Sequence, residues 1–235
     1  MNRNRYTELG YTVLMELERS ETPMTRKVKT DDLTEMANEC FDLPFDGTCK
    51  FYPFILPKLP DYRILAVTGR SGSGKSTILK EVKKSVMSKP MDPDEFVVTG
   101  FGQKGIGPVD FRYRTTKVGL DPDSIVTKRF GQLSEGEKFR VEVALNLDSN
   151  TIFDEFTSMV DRTVAEKVSK GLKEIAEKNR LRNITLCSCH KDFIGWVMPD
   201  LIIDLDDFAV YGMSKESKNQ ETKNTEEEII GTIKV

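Results

Sequence analysis

Three groups of residues carry chemistry by their types and spacing. The first is Gly69-Arg70-Ser71-Gly72-Ser73-Gly74-Lys75-Ser76, followed by Thr77, which fills every position of the pattern GxxxxGK[ST]. Glycines in such a loop admit conformations and close approaches that side chains obstruct, so backbone N–H groups converge on an anion where a helix begins. Lys75 then reaches the β- and γ-phosphates of a nucleoside triphosphate as a point charge, the Ser76 hydroxyl ligates Mg²⁺, and Thr77 lies on the α-phosphate side. The second group is Asp154-Glu155, closing the apolar run Thr151-Ile152-Phe153. Asp154 is placed to hold Mg²⁺ through water, and Glu155 to act as general base on an attacking water. Between the two stands Leu133-Ser134-Glu135-Gly136-Glu137. Ser134 and Glu137 form a capping box, and the helix end it creates offers N–H and O–H groups to an anion.

These residues need a scaffold, and the flanking patterns supply one. Arg63-Ile64-Leu65-Ala66-Val67-Thr68 reads as a short apolar strand running into the glycine loop, and Thr77 to about Val86 as the helix after it, with Ile78, Leu79 and Val82 at core spacing. Phe96-Val97-Val98-Thr99 reads as a strand and the glycine-rich run to Pro108 as a loop. Phe139, Val143, Ala144 and Leu147 give a helix from Gly136 onward; a strand at 151–154, a long helix around 162–178 and a strand at 184–187 follow. Leu201–Leu205 and Phe208–Tyr211 read as a final pair of strands. Upstream, residues 11–18 alternate like a half-buried strand, and Thr30 or Asp31 caps a helix whose face is Leu33, Met36 and Ala37. Strands alternating with helices argue for a mostly parallel sheet. The expected organisation is an N-terminal strand region at 1–24, the main domain at 25–213, and a polar linker at 214–235 ending in a short strand.

The chain has 235 residues, 38% apolar and 31% charged, with a net charge of −3. That suits one α/β domain with additions, and gives no global attraction to nucleic acid or to an anionic membrane. No apolar run of ~18 residues occurs and no apolar signal core follows Met1, so the expectation is a cytoplasmic protein with no membrane partner. Cys187-Ser188-Cys189-His190 has CxC spacing, and Cys40 and Cys49 add no CxxC rhythm, so the cysteines read as reduced thiols, with the pair in a buried strand, rather than as a zinc site.

In the order glycine loop, LSEGE, acidic strand end and histidine, residues 25–212 resemble the soluble ABC-type ATPases. More narrowly, the segments 131–140, 154–162 and Cys189-His190-Lys191-Asp192-Phe193-Ile194-Gly195-Trp196 resemble a small group associated with phages and mobile elements, often fused to or beside a GNAT-type acetyltransferase domain. The resemblance implies an α/β P-loop NTPase: a mostly parallel sheet flanked by helices, a reduced helical subdomain and N-terminal antiparallel strands. It implies ATP and Mg²⁺, hydrolysis to ADP and phosphate, and a nucleotide-sandwich homodimer. In such a dimer Ser134, Glu135, Gly136 and Glu137 of one copy reach the γ-phosphate on the glycine loop of the other. His190, the only histidine, is implied to contact that phosphate and orient the water, and Ser158 and Asp161 to sense the opposing site. Gln103, after the strand read at 96–99, is the candidate for a glutamine contacting Mg²⁺ and water, with Gln132 as its competitor. Phe51, Tyr52 and Phe54 are candidates for stacking on the base, and equally for the core.

Two positions depart from the resembling pattern. Glu135 replaces the usual first glycine and Glu137 the usual glutamine, and Glu135 adds negative charge near the expected γ-phosphate. The insertion between Lys75 and Leu133 is short and no heptads run over several turns, which argues against a transporter subunit and against a chromosome clamp. The expectation is an ATPase that drives or gates a separate effector in DNA modification, defence or phage-encoded machinery, an acetyltransferase or nuclease being the candidate partners. Its alternatives are a nucleotide-gated scaffold with little hydrolysis alone and a P-loop kinase. Lys128, Arg129, Lys138 and Arg140 either hold DNA weakly or decorate a solvated helix. In fused relatives the strand-like end of the tail is where the acetyltransferase begins.

Overall fold

The computed structural model describes residues 3–42, 45–82 and 86–213. The polar linker and closing strand read at 214–235 lie outside the described residues. Nine strands are described: β1 (Tyr11–Glu16), β2 (Met24–Lys27), β3 (Thr48–Phe51), β4 (Ile64–Thr68), β5 (Val86–Met87), β6 (Thr151–Phe153), β7 (Ile184–Ser188), β8 (Leu201–Asp204) and β9 (Ala209–Met213). Seven of them form one sheet in the order β1-β9-β8-β4-β7-β6-β5.

Strand β4 sits at the centre, paired in parallel with β7 and with β8. β6 and β5 extend the parallel part, while β9 and β1 close the other edge antiparallel. Every residue of β4 and β7 is buried, the continuous burial expected of parallel strands covered on both faces. The register sets Thr68 level with Ser188 and with Asp204. The segments after β4, β6, β7 and β8 therefore leave the sheet at one edge, where open α/β sheets place ligands.

β1 belongs to this sheet, and the segment before it is part of the core. Tyr6 and Tyr11 are buried, with the Tyr6 ring 4.7 Å from that of Tyr211 and the Tyr11 hydroxyl donating to the Pro199 carbonyl at 2.7 Å. α1 (Arg3–Glu8) carries Tyr6 and was not signalled by the sequence. β2 and β3 form a separate antiparallel pair, joined by α2 (Asp32–Phe41). Asp31 caps α2 by accepting from the Thr34 N–H at 2.9 Å, one of the two caps expected. The apolar face read on this helix is not buried: Leu33 is 71% and Met36 56% exposed.

α3 (Lys75–Glu81) begins two residues earlier than the sequence suggested and ends before Val86, which is already in β5. A second correction falls on 96–99. Those residues are not a strand; α4 (Val97–Gln103) starts there, capped by extended Phe96. Val97, Gly100 and Phe101 are buried at helical spacing, and the Phe101 ring meets Phe111 edge-on at 4.9 Å. The β-branched Val97-Val98-Thr99 favours a strand locally, and tertiary packing overrides it.

α5 (Pro108–Lys117) and α6 (Pro122–Ile125) complete a compact helical unit between β5 and the next long helix. Each opens with proline in its first turn, where the missing N–H costs nothing. Next come a 3-10 turn (Phe130–Gln132), α7 (Glu135–Asn146), α8 (Arg162–Lys178) and α9 (Phe193–Val197). Two apolar clusters cover the sheet, one containing residues of α4 to α9 and the other residues of α3 with Leu17 and Phe54. Among the described residues no helix is long and apolar enough to cross a membrane.

Candidate functional site

The glycine loop leaves β4 and turns into α3 around a cleft of 350 Å³. Ser71, Gly72, Gly74, Lys75, Ser76 and Thr77 line it together with Phe51 and Glu155. Gly74 has φ 104°, and a Cβ there would lie 3.0 Å from Cζ of Phe51. The position therefore needs glycine for its backbone and for its neighbour. Lys75 is buried, its Nζ donating to the carbonyls of Gly69 at 2.9 Å and Arg70 at 3.0 Å. The Ser73 hydroxyl is buried with no hydrogen-bond partner among the described residues. Arg70 is held from outside, its N–H 3.0 Å and its Nε 3.3 Å from Oδ1 of Asp206.

The acidic pair sits at the same edge, since Phe153 of β6 is level with Leu186 of β7. Asp154 accepts the Glu155 N–H at 2.9 Å, and Glu155 accepts the Ser158 hydroxyl at 2.9 Å. Glu155 and Thr157 have φ of 51° and 62°, a left-handed conformation that costs non-glycine residues about 1–2 kcal/mol each. The buried Phe156 between them pins the turn, donating its N–H to the Cys187 carbonyl at 2.7 Å. Burial pushes the Cys187 thiol well above its usual range, as do the charge of Asp154 and the hydrogen bond to it. The thiol thus stays protonated against the Asp154 carboxylate. Cys189 lies beyond the strand and is exposed, unlike the buried pair read from the sequence.

The Ser76 hydroxyl and the Asp154 carboxylate are hard oxygen donors, the chemistry Mg²⁺ prefers. No cluster of three His, Cys, Asp or Glu side chains is found among the described residues. The donor set thus fits an ion that takes its remaining ligands from phosphates and water.

His190 follows β7, exposed, with its N–H 3.1 Å from the Ser188 hydroxyl. The register places it at the edge shared by the glycine loop and Glu155, although it does not line the cleft. Gln103 is placed elsewhere. It lies at the end of α4 and lines a different cleft beside β5 with Lys89, Met91 and Lys104, and the strand expected before it is a helix. Gln132 closes the 3-10 turn, its side chain accepting the Arg129 N–H at 2.8 Å. The two-residue β5 carried too little signal to be read from the sequence. Of the three aromatic candidates, Phe51 lines the cleft; Phe54 is buried beside Phe208, and Tyr52 is exposed.

LSEGE forms the capping box at the start of α7. The Ser134 N–H and hydroxyl donate to Glu137 Oε2 at 2.9 and 2.8 Å, and the Glu137 N–H returns to the Ser134 oxygen at 3.3 Å. Those bonds, the backbone one first, hold the Glu137 carboxyl below its usual range. Glu135 is paired with Lys138 at 2.6 Å, which offsets part of the negative charge the sequence placed there. The four basic residues nearby all have internal partners: Lys128 lies 3.9 Å from Glu137, Arg129 over the Phe96 ring, Lys138 on Glu135, and Arg140 on the Gly136 and Gly119 carbonyls. None of residues 134–137 lines the glycine-loop cleft of its own chain. Asp161 caps α8 by accepting the Val164 N–H at 3.0 Å.

Sequence reading gave no role to the polar residues behind this edge: Arg162, Lys191, Asp192, Asp204 and Asp206. Arg162, Lys191 and Asp192 fall within the segments that carry the narrower resemblance, and Asp204 closes an apolar strand.

No family model matches the sequence, and no curated protein matches it. Solved structures do. The dimeric structure of MJ0796, a bacterial ABC transporter cassette, is 14% identical with a TM-score of 0.54, covering 80% of this chain and 93% of that one. A post-hydrolysis dimer of MJ0796 bound to ADP and Pi is 15% identical with a TM-score of 0.50, over the same shares of the two chains. A bacterial Atm1-family ABC exporter with ATP bound is 17% identical with a TM-score of 0.50, over 67% of this chain and 35% of that one. At these identities the likeness is one of fold: this chain has the ABC ATPase cassette fold.

Proposed function

We propose that the chain binds ATP with Mg²⁺ in the glycine-loop cleft and hydrolyses it to ADP and phosphate. The observation that carries this is that Glu155 lines the same cleft as Lys75 and Ser76. The backbone N–H groups of 70–76 and the Lys75 ammonium hold the phosphates. Ser76 and Asp154 hold Mg²⁺, which neutralises charge on the phosphate oxygens. Glu155 takes a proton from the attacking water, with the Ser158 hydroxyl fixing its second oxygen. His190 donates a hydrogen bond to the γ-phosphate. Phe51 offers its ring to the base.

We further propose that two copies assemble face to face, so that Ser134 and Gly136 of one complete the site of the other while Ser158 and Asp161 sense the opposing nucleotide. The exposed LSEGE helix end, away from its own cleft, supports this, and both MJ0796 structures are described as dimeric. The bonds between Ser134 and Glu137 favour a second reading, a nucleotide-gated scaffold that turns over slowly alone, because the donors a phosphate needs already hold a carboxylate. A cytoplasmic location rests on the sequence's apolar patterning, and an acetyltransferase or nuclease as client in DNA modification, defence or phage-encoded machinery rests on the sequence resemblance alone.

Phosphate release by wild type and Glu155→Gln separates the readings. Hydrolysis predicts at least about a hundredfold loss in the variant, together with ATP-dependent dimerisation seen by light scattering. Equal background rates would sink the enzyme reading and leave the scaffold.

A further inference from the structure

We propose that Lys191 is a positioning residue for the phosphate end of the cleft, its ammonium registering the segment that carries His190 against the first turn of the glycine loop. This rests on the hydrolytic reading above and adds a component to that site. Lys191 is only 11% exposed, with Nζ 2.7 Å from Oδ2 of Asp204 and 3.2 Å from Oδ2 of Asp206.

Asp204 ends β8 and is fully buried. It is pinned from other sides by the Tyr6 hydroxyl at 2.7 Å and by the Asp206 N–H at 2.9 Å. Asp206 in turn grips Arg70 through both its N–H and its Nε. A continuous path of charge-assisted bonds thus runs from Arg70 through Asp206 to Lys191, the residue bonded to His190. Short contacts of this kind fix direction as well as distance. β7, β4 and β8 end level with one another, so the path joins three strand ends that flank one phosphate site. Groups aligned this way affect the chemical step more than the binding step, because rate is the more sensitive to small misplacements.

His190 is the only histidine, so a sample labelled at the imidazole Cε1 gives one NMR signal to follow. In wild type, Mg²⁺ with a non-hydrolysable ATP analogue shifts that signal. In Lys191→Met the shift is lost while affinity for the analogue stays within about threefold; kcat falls by about tenfold or more and KM moves little. His190→Ala and His190→Ala/Lys191→Met turn over at the same rate, because Lys191 acts through His190. Lys191→Met leaves Asp204 with less compensation and can unfold the chain, so Lys191→Met/Asp204→Asn removes both charges; it melts near wild type and still lacks the shift.

A wild-type His190 shift and wild-type kcat in a folded Lys191 variant overturn the proposal. So do multiplicative losses in the double variant with His190→Ala. A wild type that binds no analogue overturns the nucleotide reading and this one together, and is told apart by the missing affinity in every variant.

Discussion

Arg162 clasps Asp192 with NH1 at 2.8 and 3.1 Å from the two carboxylate oxygens, while its NH2 takes the carbonyls of Thr157 at 2.6 Å and Val160 at 3.0 Å. One side chain therefore ties the strained turn after Glu155 to the segment after His190. The planar fork of arginine makes this possible, and a lysine cannot reproduce it. Arg162→Ala should lower stability by about 1–2 kcal/mol, and turnover by about tenfold as Glu155 and His190 lose their common reference. Arg162→Lys should recover little of either. Asp192→Asn should cost less, because the two carbonyl bonds remain. Urea denaturation and phosphate release read both quantities. A fully wild-type Arg162→Lys would mean that the clamp is decoration.

Gly74 and Gly72 separate crowding from backbone strain. Both have positive φ, 104° and 75°, but a Cβ meets the Phe51 ring at 3.0 Å from Gly74 and meets nothing within 4 Å from Gly72. Gly72→Ala should cost about 1–2 kcal/mol of stability from strain alone. Gly74→Ala should cost more and displace Phe51, so its nucleotide affinity should fall further than that of Gly72→Ala. Thermal melts and titration with a fluorescent ATP analogue test the pair; equal losses would show that the ring yields freely.

The parts of this fold that were legible in the sequence are those where local signal and tertiary role agree. The buried strand Ile64–Thr68, the glycine loop, the capping box at Ser134 and the amphipathic helix after Asp161 each show a pattern dictated by their own residues. Reading failed where context decides. Val97-Val98-Thr99 has the composition of a strand and is a helix because Val97 and Phe101 pack inward. Leu33 and Met36 show core periodicity on a helix that buries neither. The misread strand carried Gln103 with it, whereas the true edge strand, Val86–Met87, spans two residues. Contacts such as Arg162 with Asp192 join distant segments of the chain, and no local pattern announces them.

Phe51 and Phe54 looked alike in the sequence and should behave oppositely. Phe54 is 4% exposed and packs on Phe208 and under Arg19, so Phe54→Ala should lose about 3–4 kcal/mol of stability. Phe51 lines the cleft, so Phe51→Ala should change stability far less and weaken ATP by about tenfold through lost stacking. Urea midpoints against nucleotide titration tell the two apart. An ATP affinity untouched by Phe51→Ala would remove the stacking role.

Asp206 gives the chain a definite response to acid. Burial works to raise its pKa, but the Arg70 N–H and then Lys191 outweigh it and hold the carboxyl below the usual range. A depressed folded value means a contribution fully present above the unfolded pKa of about 4 and lost as pH falls through the folded value. Wild type should therefore exceed Asp206→Asn by about 1–2 kcal/mol at pH 7, and the gap should close as the pH drops below about 4. Urea unfolding of both proteins at several pH values measures it. A gap constant down to pH ~3 would place the stabilisation in packing rather than charge.

Glu137 both builds the helix end at LSEGE and competes for it. Its carboxylate takes the N–H and hydroxyl of Ser134, the donors that a phosphate of a second copy needs. Glu137→Ala should cost about 1 kcal/mol through loss of the capping box. Glu137→Gln keeps an acceptor for Ser134 while removing the negative charge, so its stability should change less. In the Glu155→Gln background, Glu137→Gln should tighten ATP-driven dimerisation by roughly fivefold, because the incoming phosphate no longer meets a like charge. Light scattering across a concentration series gives the dimer constant. If the constant is unchanged in Glu137→Gln and also in Ser134→Ala, the helix end does not meet the phosphate, and the face-to-face assembly must be abandoned.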